Sequence, residues 1–444
     1  MLIKNRYFTS SAIFVVMQQI MLAISTYFIA RAGNALFGAR QAEVLHDIVW
    51  FFFTASLAYF LSSLSEYQQL KLKNSLWKKY IVDTYNSIQA DMKVSSYHNK
   101  QKVTNWLTGE AFTTFENTAA LVIELISLYC NVLLTLAVFT MTLGYVLTSA
   151  MVVSCIISIV LIKLFKRFIK NLASLIQTDK LEALVSINAL WDNYLFGSKS
   201  QLNNAYTKFN GKIERYFKQT RKYLFIEQTI SCLPIYISIP LVIWAMYYLA
   251  RNGTLALGSV VAVLPRSLQL FGNIHSLSMY SSKALLIKYK LNNLKNFISR
   301  LEKQDLFNQI TIEEITIFPL ISNKELLLDS FLSKIEKKEL TYGRFLITGK
   351  NGAGKSSLLK LIKGMFPETS ILVAPGINFM DSELIASSGE HQMRQMELLL
   401  SHEVNIFLLD EWDANLDASN VTRLNEQLDA LAQHTLVIEI RHKK

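Results

Sequence analysis

Long apolar runs alternate with long polar connections over the first two thirds of the chain. A helix that crosses a bilayer needs roughly 20 mostly apolar residues. Six runs approach this length: Ser11–Ala30, Ile48–Leu64, Leu121–Leu143, Ala150–Phe165, Ile230–Leu249 and Leu255–Met279. The first could also be a cleaved signal peptide, but the five that follow favour an uncleaved anchor. The pattern predicts a membrane α-helical bundle of six transmembrane helices, with the lipid bilayer as a partner.

Two connections, residues 67–118 and 166–225, are much longer than the others. They contain few helix breakers and have recurring apolar positions, as at Leu72, Leu76 and Tyr80 in the first. Each is therefore predicted to be a helical hairpin with arms of about 25 residues, which at 1.5 Å per residue project roughly 35–40 Å from the membrane. These hairpins form long cytoplasmic stalks.

The composition agrees with a membrane protein. Hydrophobic residues make up 51% of the chain and charged residues 18%, whereas a soluble domain is about a quarter charged. The formal net charge is +11, and the basic residues concentrate in the two long connections. By the positive-inside rule, those connections and both termini face the cytoplasm. Topology thus explains the charge, and no nucleic-acid partner is expected, since no soluble domain combines these lysines with stacking aromatics.

Four ionisable residues fall in or near the apolar runs: Glu124, Glu227, Arg266 and His275. A charge at membrane depth faces a cavity or a partner, because facing lipid costs at least about 2–3 kcal/mol. Arg266 follows a proline, which loosens the helix there. We expect Arg266 to line a substrate cavity, while Glu124 and Glu227 could simply be solvated at the cytoplasmic ends.

The pattern changes after Arg300, which predicts two domains, 1–303 and 304–444. Alternating isoleucines predict a strand over Gln309–Ile317, and the residues Arg344–Thr348 predict a second strand. Apolar strands are also predicted at Ile371–Ala374, Ile406–Leu409 and Thr435–Ile440. The C-terminal domain is therefore expected to be α/β.

A glycine-rich loop follows the second strand and fits G-x-x-x-x-G-K-[ST] at every fixed position, with a predicted helix after it. Backbone N–H groups of such a loop surround phosphate oxygens, and the helix N-terminus adds a favourable dipole. The lysine reaches the outer phosphates and the serine hydroxyl binds Mg²⁺. The predicted nucleotide-binding residues are Gly349, Lys350, Asn351, Gly352, Ala353, Gly354, Lys355, Ser356 and Ser357.

A buried strand then ends in two acids, Asp410 and Glu411. Such acids at the edge of a sheet can hold Mg²⁺ and activate water. Asp410 is predicted to bind the metal together with Ser356, and Glu411 to be the general base. The alternative is a strand whose terminal acids are merely solvated.

The segment Ala386–Gln392 resembles the signature loop of ATP-binding cassette (ABC) proteins. The phosphate loop, this segment, the acidic strand, a D-loop-like Ala414–Asp417 and His442 occur in the order typical of that family. With six spans ahead of them, the chain resembles an exporter-type half-transporter and a P-loop nucleotide-binding domain.

This resemblance implies ATP and Mg²⁺ as cofactors and a second half-transporter as partner, most simply in a homodimer. Glu411 and His442 become catalytic residues, with His442 sensing the γ-phosphate. The signature residues Ser387, Ser388, Gly389 and Glu390 would cap the nucleotide bound to the other subunit.

The chain departs from the family pattern at three places. Ser387 lies 32 positions after Lys355, less than half the usual spacing, so most of the helical subdomain is expected to be missing. Gly376 follows Pro375 where the family has the Q-loop glutamine. Trp412 replaces a small residue after the catalytic glutamate.

The expected function is ATP-driven export of a peptide-like substrate, such as an antimicrobial peptide, across a bacterial inner membrane. Lipid or drug export, peptide import, and a non-transporting ATP-binding scaffold or immunity protein are the alternatives. The missing subdomain favours the scaffold, and the intact Lys355, Glu411 and His442 oppose it.

Overall fold

The computed structural model describes residues 5–38, 40–89, 91–252, 257–320, 325–380, 388–414 and 416–441. The chain divides into two compact units. The membrane unit comprises Met1–Tyr80 and Thr108–Asn296, and the sheet unit comprises Ile81–Leu107 and Phe297–Lys444. The predicted division after residue 303 did not include Ile81–Leu107, which packs with the C-terminal part of the chain.

Helices dominate the chain ahead of the sheet. In chain order they are α1 (Arg6–Phe37), α2 (Gln41–Ile88), α3 (Tyr97–Asn105), α4 (Phe112–Leu143), α5 (Tyr145–Phe196), α6 (Lys199–Arg251) and α7 (Leu257–Lys295). A short 3₁₀ turn, Met92–Val94, precedes α3, and a π-helical turn, Trp106–Ala111, joins α3 to α4.

Four helical segments in the described part of the chain are long and apolar enough to cross a membrane. They are Arg6–Leu36, Gln41–Ile88, Tyr97–Leu143 and Lys199–Arg251, and they contain the first, second, third and fifth predicted spans. The fourth and sixth predicted spans fall within α5 and α7, except for residues 255 and 256, which lie outside the described residues. Those two spans stay predictions.

The second long connection forms a helical hairpin. Helix α5 ends at Phe196, and Gly197 is its C-cap. Ser198 is the N-cap of α6 and forms a capping box. Its side chain accepts a hydrogen bond from the Gln201 N–H, and the Ser198 N–H donates to the side chain of Gln201. This arrangement satisfies N–H groups that have no partner within the helix. The turn between the two arms is therefore stabilised by residues that are close to it in sequence.

The described part of the sheet unit contains five strands in the order β1-β2-β5-β4-β3. The strands are β1 (Ile315–Pro319), β2 (Gly343–Gly349), β3 (Ser370–Val373), β4 (Ile406–Asp410) and β5 (Leu436–Ile440). Only β1 is antiparallel; β2, β5, β4 and β3 are parallel. The carboxyl ends of those four strands consequently share one edge, where ligands of α/β sheets bind.

Helices cover both faces of the sheet. Along β4, Ile406 and Leu408 join a core with α8 (Leu328–Glu336) and α9 (Lys355–Met365). The alternate residues Phe407 and Leu409 join a core with α10 (Ser388–Leu400) and α11 (Ala418–Leu431). Both faces of β4 are thus apolar, as expected for a central parallel strand.

The strand predicted over Gln309–Ile317 is wrong in its first half. Residues Ile312–Glu314 form a 3₁₀ turn, and β1 starts only at Ile315. The N–H of Thr311 donates to the carbonyl oxygen of Ala353 (3.0 Å). This segment is therefore held by the glycine-rich loop and not by a neighbouring strand.

Candidate functional site

The predicted phosphate loop connects the end of β2 with the start of α9. Gly354 has a left-handed backbone (φ +90°), and a Cβ there would come within 2.1 Å of the carbonyl oxygen of Gln309. The loop therefore requires glycine at this position. The Nζ atom of Lys355 donates to the carbonyl oxygens of Gly349 (2.8 Å) and Lys350 (3.1 Å), which holds the ammonium group over the loop.

The loop borders an open cavity of about 700 Å³. Glu411 and Ile440, at the carboxyl ends of β4 and β5, line the same cavity. The predicted residues that line it from the loop are Asn351, Gly352, Gly354, Lys355, Ser356 and Ser357. By contrast, Lys350 forms an ion pair with Glu314 (3.1 Å), and Ala353 is buried in the core.

Asp410 is a buried carboxylate at the end of β4. Its Oδ1 atom has no hydrogen-bond partner among the described residues. Burial raises the pKa of the Asp410 carboxyl, and a hydrogen bond with Ser356 opposes that rise. Two oxygen ligands, Ser356 and Asp410, fit Mg²⁺, which takes few protein ligands and completes its shell with phosphate oxygens and water. No group of three or more His, Cys, Asp or Glu that could hold another metal occurs in the described part of the chain.

Glu411 has an unusual backbone for a residue other than glycine, with φ +48°. Its N–H donates to the carbonyl oxygen of Ile440 (2.8 Å), which joins the ends of β4 and β5. The side chain lines the phosphate-loop cavity and also a second cavity of about 270 Å³. Glu411 therefore borders both cavities.

The second cavity lies beside Gly376, the residue at the position where the ABC family has the Q-loop glutamine. Gly376 lines it, and so do Gln392 and Gln395 from α10. Gln392 donates from Nε2 to the carbonyl oxygen of Trp412, and Gln395 donates to that of Ile377 (3.3 Å). These two glutamines were missed by sequence reasoning, although their position at i and i+3 on an amphipathic helix places them on one face.

The signature residues are only partly described. Ser387 lies outside the described residues, Ser388 begins α10, and Gly389 and Glu390 line a separate open cavity of about 510 Å³. Glu390 accepts a hydrogen bond from Arg394 (2.6 Å). None of the residues that line this cavity also lines the phosphate-loop cavity, so the two surfaces are distinct. His442 also lies outside the described residues.

A polar cavity of about 310 Å³ lies inside the membrane unit. Arg266 and Glu124 both line it, and no ion pair joins these two side chains in the described structure. Arg266 donates from Nη1 to Gln269 (2.5 Å), while its Nε atom is buried without a partner. Amide side chains link three helices here, because Asn131 donates to Gln19 (2.6 Å) and accepts from Asn273 (2.6 Å).

The other two ionisable residues predicted near the apolar runs do not line this cavity. Glu227 accepts a hydrogen bond from Tyr223 (3.2 Å). A ring nitrogen of His275 lies 2.9 Å from the carbonyl oxygen of Ser231. Arg266 and Glu124 are therefore the ionisable pair that the cavity brings together.

Within the sheet unit, the first long connection packs on the segment that leads into the sheet. Asn99 is 1% exposed and donates to the carbonyl oxygens of Val94 (3.1 Å) and Glu302 (2.8 Å). The N–H of Gln304 donates to the carbonyl oxygen of Lys93 (2.9 Å). Backbone groups of both segments are thus paired with each other.

Neither a protein-family model nor a curated protein sequence matches this chain. A solved structure does: a bacterial Atm1-family ABC exporter with ATP bound, with a TM-score of 0.66 and 14% sequence identity. The likeness covers 99% of this chain and 91% of that one. The chain has the fold of an ABC exporter.

The ABC-exporter fold accounts for the order of helices before sheet, and the sheet unit brings several predicted residues together. Lys355, Ser356, Asp410 and Glu411 meet around one sheet edge. Between α9 and α10 the described residues contain only strand β3. The shortened nucleotide-binding domain remains a prediction.

Proposed function

We propose that this chain is one half of an ATP-driven exporter, which works as a homodimer in a bacterial inner membrane with both termini in the cytoplasm. The observation that carries the proposal is the cavity that the phosphate loop shares with Glu411, next to Asp410. It occurs on a chain whose described residues include four helical segments long enough to cross a membrane and whose fold is that of an ABC exporter. In such a chain, an ATP site would provide the energy for transport across the membrane.

In this proposal, backbone N–H groups of residues 349–357 bind the phosphates, helped by the N-terminus of α9. Lys355 exchanges its carbonyl partners for the outer phosphates of ATP. Ser356 and Asp410 hold Mg²⁺, which neutralises charge on the phosphates. The unpartnered Oδ1 of Asp410 supports this assignment, because a buried carboxylate oxygen without a donor is costly unless a cation binds it.

Glu411 accepts a proton from the water molecule that attacks the γ-phosphate. Its left-handed backbone and its bond to Ile440 fix where its side chain begins. His442, two residues beyond Ile440, is proposed as the γ-phosphate sensor. The roles of Glu411 and His442 come from the resemblance to ABC proteins and from the shared cavity.

The two separate cavities support the proposed homodimer. A nucleotide in the phosphate-loop cavity does not touch Gly389 or Glu390 of the same chain, since those residues line a different cavity. Residues 387–390 of a second copy are proposed to close over it. Two copies then form two composite sites of the same kind.

The proposed cargo is a peptide. The cavity in the membrane unit offers a guanidinium at Arg266, a carboxylate at Glu124 and several amide side chains. These groups complement the charged ends and the amide bonds of a peptide. A lipid or a drug would make less use of so polar a lining, so lipid or drug export is the alternative that transport assays should test next.

The test is ATP hydrolysis and ATP-driven transport by the full chain in lipid vesicles, with a Glu411→Gln variant beside the wild type. Loss of a general base lowers the rate about 10²–10⁴-fold, while ATP binding should persist. Lys355→Ala should abolish Mg²⁺-dependent ATP binding and transport. Transport by Lys355→Ala at the wild-type rate would contradict the proposal.

A second candidate function is an ATP-binding scaffold that does not transport. Gly376 in place of the Q-loop glutamine and the short stretch between α9 and α10 favour it. That function predicts equal and negligible ATP hydrolysis by wild type and Glu411→Gln, with ATP binding retained in both.

A further inference from the structure

Trp412 directly follows the proposed base and is fully buried, at 1% exposure. A small residue is usual at this position in the resembling family. The indole packs in the core between the sheet and helices α10 and α11, and its Nε1–H donates to Oε2 of Glu439 (3.0 Å). Trp412 therefore has a specific polar partner as well as an apolar environment.

Glu439 is an acid inside the apolar strand β5, with 0% exposure. Burying a carboxylate is unfavourable unless donors surround it. Both its oxygens are bonded: Oε2 also accepts from Arg344 (2.9 Å), and Oε1 accepts from Arg441 (2.9 Å). The carboxylate is thereby held in one place, and it offers Trp412 a fixed acceptor.

The backbone around Glu411 is held from the same strand. The Glu411 N–H bonds to the carbonyl oxygen of Ile440, the neighbour of Glu439. On the other side, Gln392 of the signature helix α10 donates to the carbonyl oxygen of Trp412. A left-handed conformation at a residue other than glycine persists only where the surroundings over-determine it, and these contacts do so.

We propose that Trp412 is a positioning residue that, anchored on the buried carboxylate of Glu439, holds the strained backbone of Glu411 and so directs its carboxylate at the attacking water. The inference rests on the proposed hydrolysis of ATP through Glu411. Trp412 itself does not touch the nucleotide site: it lines the second cavity and not the phosphate-loop cavity.

The first variant is Trp412→Phe, which keeps an aromatic ring in the core and removes the indole N–H. We expect kcat for ATP hydrolysis to fall about tenfold or more, since small misplacements of reacting groups are costly, with ATP affinity within about twofold of wild type. Leu428→Val is the matched control, because Leu428 is a buried neighbour in the same core that makes no polar contact with Glu439. It should change kcat little.

If Trp412→Phe does not fold, 3-benzothienylalanine at position 412 serves instead, because it keeps the shape of tryptophan and lacks only the N–H. Backbone hydrogen exchange of residues 411–414 in the full chain is the readout that does not depend on hydrolysis. The two position-412 variants should exchange faster there than wild type, since the N–H groups of Glu411 and Ala414 are bonded in this turn.

The outcomes separate the two proposals. Wild-type hydrolysis together with unchanged kcat in a folded position-412 variant overturns the positioning role and leaves the exporter intact. A wild type that binds ATP without hydrolysing it overturns the proposed function. In that case, faster hydrogen exchange at residues 411–414 in the variant still supports the proposal that Trp412 holds the backbone of Glu411. Unchanged exchange overturns that proposal.

Discussion

Asp410, the proposed Mg²⁺ ligand, illustrates at the level of one residue how a buried acid can lower stability. An acid with a raised pKa in the folded protein contributes stability below its ordinary pKa, and that contribution is lost as the pH rises through the raised value. Burial raises the pKa of Asp410. The ionised side chain therefore lowers the stability of the nucleotide-free protein at neutral pH, and a bound cation reverses that cost.

Asp410→Asn should accordingly raise the thermal unfolding midpoint of the nucleotide-free protein at neutral pH. It should also weaken Mg²⁺-dependent ATP binding by about tenfold or more, as loss of a metal ligand or of its supporting group does. In the wild type, Mg²⁺-dependent binding should weaken on acidification at a higher pH than an ordinary aspartate would give. Differential scanning fluorimetry and nucleotide titrations at several pH values measure these effects.

Glu368→Gln is the control for this substitution, because Glu368 is an exposed acid in the same unit. It should alter neither the unfolding midpoint nor the affinity for ATP. An Asp410→Asn protein that binds Mg²⁺ and ATP as wild type does would show that the metal lies elsewhere.

At the level of elements, the connection between α2 and α4 ends in a region that belongs to the sheet unit. Trp106 stacks on Phe297 with ring centroids 4.5 Å apart, and Asn99 pairs with the backbone of Glu302. Helix α2 is unbroken from Gln41 to Ile88. Residues Ile81–Ile88 of α2 belong to the sheet unit, whereas its earlier residues belong to the membrane unit. We therefore predict that nucleotide binding to the sheet unit alters the hydrogen exchange of α2.

Asn99→Ala removes the buried amide and leaves the carbonyl oxygens of Val94 and Glu302 without this donor. Each such loss costs about 1–3 kcal/mol, enough to loosen the connection without unfolding the sheet. We expect ATP hydrolysis to continue while the ATP-induced change in hydrogen exchange of α2 is reduced. Hydrogen exchange with and without MgATP in nanodiscs measures both states without a known cargo.

The neighbouring His98 offers a control, since it is exposed and lies 3.8 Å from Glu302. His98→Ala should keep the ATP-induced change. If Asn99→Ala also keeps it in full, this connection does not transmit the nucleotide signal.

The elements that the sequence predicted well are those with local signals. The glycine-rich loop and the apolar strands β4 and β5 each depend on residues next to one another. The first half of the strand predicted over Gln309–Ile317 was wrong because the N–H of Thr311 bonds to Ala353, more than 40 positions away. Alternating isoleucines alone could not reveal that contact.

The same reason explains which site residues were missed. Gln392 and Asn99 donate to the backbone carbonyl oxygens of Trp412 and Glu302, which are distant in sequence, so spacing alone could not identify these partners. Glu439 did leave a signal, because an acid inside a five-residue apolar strand requires buried partners. Its partner Arg344 lies on the adjacent strand β2. The sequence does not show that β2 and β5 are neighbours, so this pairing could not be predicted.

At the scale of the whole molecule, the proposal requires two copies of the chain. The phosphate loop and the signature residues line distinct cavities of one sheet unit. If each ATP lies between the loop of one copy and the signature of the other, a single chain has no complete site. This arrangement can be tested by mixing copies with different defects.

Lys355→Ala damages the phosphate loop, and Gly389→Asp damages the signature. Each variant alone should form only defective homodimers. In an equal mixture, half of the dimers contain both variants, and each of these has one site built from an intact loop and an intact signature. If the two sites act independently, the mixture should hydrolyse ATP at about a quarter of the wild-type rate.

The control mixture combines Lys355→Ala with Glu411→Gln, whose defects both lie on the phosphate-loop side. Every site in a mixed dimer of these variants lacks either the lysine or the base, so no activity should return. Recovery in the first mixture but not in the second would locate the signature and the loop on opposite copies. If ATP hydrolysis recovers in neither mixture, although native mass spectrometry verifies mixed dimers, the result would contradict independent composite sites. If it recovers in both mixtures, the result would contradict the assignment of Lys355 and Glu411 to one nucleotide.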